Sequence, residues 1–68
     1  MKSTGDFEER NGGDYIAERY GYIFIIWQFG DMFCGVCKKR SGREMFRLQA
    51  RTLNDAKMIC KQHKYWDK

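Results

Sequence analysis

The chain is short of the groups that catalysis usually needs. It has one histidine, His63, and no acidic residue is placed to orient it beside a cysteine nucleophile. It has no glycine-rich phosphate loop, and no acidic pair reads as a catalytic dyad. An enzyme is therefore not expected. No apolar run approaches the ~20 residues of a membrane span, and the N-terminus lacks the apolar segment of a secretory signal. Three cysteines make an odd count, where a secreted disulfide scaffold would normally carry an even one. A reducing, cytoplasmic setting without membrane contact is the expectation. Proline is absent, so nothing of that kind bars Tyr22–Phe29 from forming a strand.

What is present suits one small domain. The chain has 68 residues, a length at which a single core only just offsets chain entropy. An apolar fraction of 43% with eleven aromatic residues argues against disorder. The net charge of +4 is unevenly spread. Residues 1–37 carry three Lys/Arg against six Asp/Glu, and residues 38–68 carry ten against three. A basic half of this kind suits either a solvated surface or a phosphate-binding footprint.

Taken in order, residues 1–13 are polar, end in Gly-Gly and read as a disordered tail; residues 14–68 read as the folded domain. Asp14–Tyr20 fits either one helical turn or an extended lead-in, ended by Gly21. Tyr22–Phe29 is rich in aromatic and β-branched residues and reads as a strand. Gly30-Asp31 has glycine first, as a type II′ hairpin turn prefers, and pairs Phe29 with Met32, Trp27 with Cys34 and Ile25 with Val36. Arg40-Ser41-Gly42 reads as a three-residue loop pairing Lys39 with Arg43, which sets Val36 opposite Phe46, Cys34 opposite Leu48 and Met32 opposite Ala50. Together the two turns place Ile23, Ile25, Trp27, Met32, Cys34, Val36, Phe46, Leu48 and Ala50 on one face. Thr52 is a candidate N-cap, with Asp55 three residues later. From Leu53 an apolar stripe of Leu53, Ala56, Ile59, Cys60, His63 and Trp66 fits a helix of about fourteen residues, ~21 Å long. The expected fold is α+β: a three-stranded antiparallel meander covered on one face by a C-terminal helix, βββα, behind a flexible N-terminal tail.

Cys34-x2-Cys37 and Cys60-x2-His63 are metal-ligand types in pairs, the second pair on the helix. The set resembles a ββα zinc finger. It differs in the 22 residues between the pairs, and in carrying Cys-x2-His where that family has His-x3-His. Residues three apart on a strand point to opposite faces, which places Cys34 inward and Cys37 outward. Zinc on Cys34, Cys37, Cys60 and His63 is therefore the lesser expectation beside two small core cysteines, Cys34 and Cys60, and an exposed or edge thiol, Cys37. No other cofactor is indicated.

On this register the uncovered face holds Tyr22, Phe24, Ile26, Gln28, Phe33, Gly35, Cys37, Lys39, Met45, Arg47 and Gln49. A contiguous apolar patch there, with Tyr22, Phe24, Ile26, Phe33, Met45 and Arg47 at its heart, points to a protein partner, to a homo-oligomer, or to cover by Tyr15, Ile16 and Tyr20. The βββα order with Thr52-x-x-x-Ala56-Lys57 opening the helix resembles small bacteriophage and prophage accessory proteins, some of which bind and modulate host proteins. It also resembles the sheet-type DNA-binding domain of phage and transposon integrases. That second likeness implies nucleic-acid contact through the basic hairpin 38–51, at Lys38, Lys39, Arg40, Arg43, Arg47 and Gln49. Phe24, Ile26 and Phe33 stand where such a sheet would offer polar or basic groups. A double-stranded-RNA-binding domain also ends in βββα, but residues 14–20 are too short for its first helix. The expected function is that of a small interaction protein, with nucleic-acid binding and a zinc module as alternatives.

Overall fold

The structure, a computed structural model, describes residues 7–10 and 12–66. It has five strands and one helix: β1 (Glu8–Arg10), β2 (Asp14–Arg19), β3 (Tyr22–Phe29), β4 (Met32–Lys39), β5 (Glu44–Ala50) and α1 (Leu53–Lys61). The strands form one antiparallel sheet in the order β1-β2-β3-β4-β5. The three-stranded expectation is thus corrected to a five-stranded meander. The tail assigned to residues 1–13 loses residues 8–10 to β1; residues 1–6 and 11 lie outside the described residues.

The missed strands hang on one turn. Tyr20 and Gly21 join β2 to β3 as a two-residue loop with φ of 52° and 84°. Positive φ at both positions is the hairpin geometry that matches strand twist. Glycine adopts it freely, whereas tyrosine seldom does, so the sequence there does not advertise a hairpin. The other turns follow the residues. Gly30 takes a φ of 64° at the head of the β3–β4 turn, and Gly42 takes 103° in the β4–β5 loop. The Lys39 N–H donates to the Arg43 carbonyl at 2.8 Å, the pair expected for that loop.

The β3–β4 register is also as read, with Trp27 opposite Cys34 and Ile25 opposite Val36. β5 departs from expectation by one residue. Lys38 faces Glu44, but Cys37 faces Phe46, so Met45 is the extra residue of a β-bulge. Beyond the bulge Gly35 faces Leu48 and Phe33 faces Ala50. A one-residue shift moves every later side chain to the other face. Phe46, Leu48 and Ala50 therefore join Phe24, Ile26 and Cys37, not Ile25, Trp27 and Val36.

Helix α1 covers that second set, and the two faces assigned to β3 and β4 are exchanged. Phe24, Ile26 and Cys37 have no exposed surface, and Ala17, Leu48 and Ala50 are buried beside them. The choice has a steric reason. The covered face carries Ala17, Gly35, Cys37 and Ala50 among its large residues, which lets Ala56 and Cys60 of the helix reach the sheet with no exposed surface of their own. The opposite face is wall-to-wall Ile23, Ile25, Trp27 and Val36 at the same positions. Close packing favours the side where small and large residues alternate.

The helix begins as expected, with the Asp55 N–H donating to Thr52 Oγ1 at 3.1 Å. It ends at Lys61, five residues short of Trp66, and turns follow. Nine residues span about 13 Å, too little to cross the sheet. The turns complete the cover with rings. Tyr65 stacks on Tyr22 at 4.4 Å, His63 on Phe46 at 3.9 Å, and Trp66 meets Phe24 edge-on at 5.1 Å. Phe7 stacks on Trp66 at 5.4 Å. Arg19 Nε donates to the Trp66 carbonyl at 3.1 Å, with its guanidinium 4.8 Å from the indole. Both ends of the described chain therefore meet at one corner of the sheet. No helix of the described residues is long and apolar enough to cross a membrane.

Candidate interaction face

Directly paired residues of an antiparallel sheet share a face, so the open side can be read across the strands. Its middle row runs Glu8, Ile16, Ile25, Val36, Arg47 from β1 to β5. A second row runs Glu18, Ile23, Lys38, Glu44 from β2 to β5. On the other side of the middle row, Trp27, Cys34 and Gln49 are aligned across β3, β4 and β5. Phe29 and Met32 extend the patch to the β3–β4 turn, where Phe29 is 72% exposed. The result is an apolar band along β3 and β4 flanked by charge. Beside Trp27 and Cys34, with Gly35, Arg47, Leu48 and Gln49, the surface dips into an open concavity of about 400 Å³.

The flanks differ in sign. On β1–β2 the open face carries Glu8, Arg10, Asp14 and Glu18; on β4–β5 it carries Lys38, Glu44 and Arg47. Some of these charges are paired within the chain. Arg10 meets Glu8, Arg40 bonds Glu18, and Arg47 Nε and Nη2 both donate to the Glu44 carboxylate. The Arg47 hydrogen bond and charge hold Glu44 below the usual carboxylate range and raise Arg47 in turn. These pairs are solvent-exposed and contribute little stability.

The residues expected to form an uncovered apolar face are mostly in the core or packed against it. Phe24 and Ile26 are in the core, and Tyr22, Phe33 and Met45 pack against it. Only Arg47 of that set lies exposed on the open face. The side chains that do form the open face are Ile16, Ile23, Ile25, Trp27, Cys34 and Val36. Ile16 belongs to a strand left undecided between a helical turn and an extended segment, because Asp14-Tyr15-Ile16-Ala17-Glu18-Arg19 lacks the apolar–polar alternation that would mark it. Cover of the open face by Tyr15 and Tyr20 is likewise corrected. Tyr15 pairs with buried Ile26 and packs against the core on the helix side, while Tyr20 is 65% exposed in its turn.

The basic hairpin does not form one surface. Lys38, Arg47 and Gln49 are on the open face, Lys39 is on the other, and Arg40 and Arg43 belong to the loop. Arg40 and Arg47 are engaged by Glu18 and Glu44.

The cysteine and histidine set does not converge either. Cys34 is on the open face, whereas Cys37 and Cys60 are in the core, the reverse of the inward Cys34 and outward Cys37 expected. Burial pushes the Cys37 thiol up to about 11, and burial together with the neighbouring Cys37 pushes Cys60 up to about 12. His63 lies flat on Phe46, and its Nδ1 accepts the Tyr65 N–H at 3.4 Å. Among the described residues no three His, Cys, Asp or Glu side chains are grouped as metal ligands. All three cysteines are free thiols.

No protein-family model matches the chain, and neither a curated protein nor a solved structure does. The likenesses to small phage proteins and to the integrase domain rest on the residues quoted for them alone.

Proposed function

We propose that this is a small, non-enzymatic interaction protein that binds a protein surface through the open face of its sheet. The observation that supports it is the band of Ile16, Ile23, Ile25, Trp27 and Val36, which no element of the described chain covers. Monomeric proteins seldom leave a contiguous patch of that size bare, and charged residues at its rim are the usual surround of a binding site. On the helix side Met58 and Ile59 are exposed, while the aromatic residues there stack on each other.

Ile25 is central to the band, and Ile25→Asp tests the reading. The side chain is outside the core, so the variant should fold, with a circular dichroism spectrum like the parent's. A partner held by this face, whether another protein or a second copy, should bind at least about tenfold more weakly, the scale of losing a central interface residue. Undiminished binding by a folded Ile25→Asp chain would remove the open face from consideration.

A further inference from the structure

Resting on that reading, we infer that the open face pairs with a second copy of this chain, sheet on sheet, about a two-fold axis running along the strands. Rotation about such an axis keeps each residue's level along the strand and reverses the strand order. β1 then lies over β5 of the second copy, β2 over β4, and β3 over β3.

The middle row matches its own reverse under this operation. Glu8, Ile16, Ile25, Val36, Arg47 meets Arg47, Val36, Ile25, Ile16, Glu8. Acid faces base at both ends, where Glu8 and Arg47 exchange their exposed partners Arg10 and Glu44 for each other, and aliphatic side chains face each other between. In the second row Glu18 faces the second copy's Lys38, and Ile23 faces Ile23. Each charge pair occurs twice by symmetry, as an isologous contact requires. An axis across the strands through the middle row would instead set Glu8 over Glu8, Arg47 over Arg47 and Glu18 over Asp14, and like charges brought together at an interface are costly. Charge therefore selects one of the two ways to stack these faces.

The size suits a weak dimer. Four strand spacings of about 4.8 Å, crossed with seven residues at about 3.3 Å, give a face of about 20 by 23 Å. Two copies together bury about 900 Å², a little under the ~1,000 Å² of a stable specific interface, which is the size of a weak association. Packed sheets align within about 30°, so the match is closest in the middle row and loosens at the corners. In the third row Trp27 faces Trp27 of the second copy, beside the concavity at Cys34.

The test is a charge swap read by sedimentation equilibrium at concentrations up to about 500 µM, where an association of this size registers. Wild type should self-associate to a dimer. Glu8→Lys/Glu18→Lys makes both flanks basic, Lys38→Glu/Arg47→Glu makes both acidic, and each alone should weaken the dimer by about tenfold or more. Mixed in equal amounts, the two variants should restore dimers to near the wild-type level. Should either reversal unfold the chain, Glu8→Gln/Glu18→Gln keeps the test open, with weakened association expected. A wild-type monomer throughout the range, a dimer indifferent to the single reversals, or a mixture that stays monomeric would each overturn the inference. A monomeric wild type that nevertheless binds another protein, with loss in Ile25→Asp, also overturns it while the broader reading stands; if that binding is absent too, both fall.

Discussion

Gly35 shows how one missing side chain decides the packing of this sheet. It lies on the covered face between Ile26 and Leu48, and the Leu48 side chain occupies the space above it. A Cβ at position 35 would fall 2.9 Å from Leu48 Cγ, 3.0 Å from its Cδ1 and 3.2 Å from the Ile25 carbonyl oxygen. Leu48 could turn aside only by leaving the core, and the carbonyl is fixed by the strand. Two effects oppose each other in Gly35→Ala. Removing glycine from a strand interior gains about 0.5–1 kcal/mol in chain entropy, whereas overpacking a filled core costs about 1–3 kcal/mol. The steric cost is larger, so Gly35→Ala should lower unfolding stability by about 1 kcal/mol or more in urea titrations. A gain in stability would show that Leu48 has room that the contacts deny.

At the level of elements, hairpin turns and helix starts were legible, while the strand pairing beyond them was only partly so. Gly30-Asp31 and Arg40-Ser41-Gly42 carry glycine where positive φ is needed, and Thr52 caps α1 as a short hydroxyl side chain should. The bulge at Met45 left no such mark, because any residue can be the extra one, and it alone inverted the assignment of faces. β3 gave no help, being apolar at both alternating positions, so its sequence is compatible with either side inward. Tyr22, Phe24, Ile26, Phe33 and Met45 were assigned to the uncovered face for that reason, although an apolar face opposite the helix was anticipated. The helix end was missed because His63 and Trp66 continue the apolar spacing, yet they pack from turns. The β2–β3 hairpin was hidden by Tyr20, whose φ of 52° is unusual for a side chain of its kind. Tyr20 is 65% exposed and its ring lies 5.5 Å from the Arg19 guanidinium. Tyr20→Asn would create the Asn-Gly pair that this turn geometry favours. It should raise stability by about 0.5–1 kcal/mol, the scale of relieving a left-handed residue, less the weak ring contact. Thermal unfolding with Tm unchanged or lowered would mean that the Arg19 contact outweighs the backbone strain.

For the whole molecule, a core this small has few residues to spare, and it devotes two positions to thiols. Cys37 and Cys60 are fully buried side by side, between the middle of the sheet and the helix. Their ionised forms would have to sit in the apolar interior, so both thiols titrate well above their ordinary value of 9.0, at about 11 and about 12. The consequence for stability follows from linkage. Below pH 9.0 both folded and unfolded chains hold these protons, and the thiols contribute no pH dependence. Above it the unfolded chain releases them while the folded chain retains them, so the unfolded state is favoured progressively as pH rises through the folded values. Each thiol contributes a slope of up to about 1.4 kcal/mol per pH unit in that window, which for a domain of this size is a large share of the total. Unfolding stability should therefore fall steeply between pH 9 and 11, the interval between the free and folded values of Cys37. Cys37→Ala removes one of the two groups and the second cause of the Cys60 shift. It should start less stable at pH 7, through lost packing, and lose stability more gently over the alkaline range. Urea titrations of both proteins at several pH values give the two slopes directly. Parallel slopes would mean that the alkaline loss does not come from Cys37, and that the core admits enough water to solvate a thiolate.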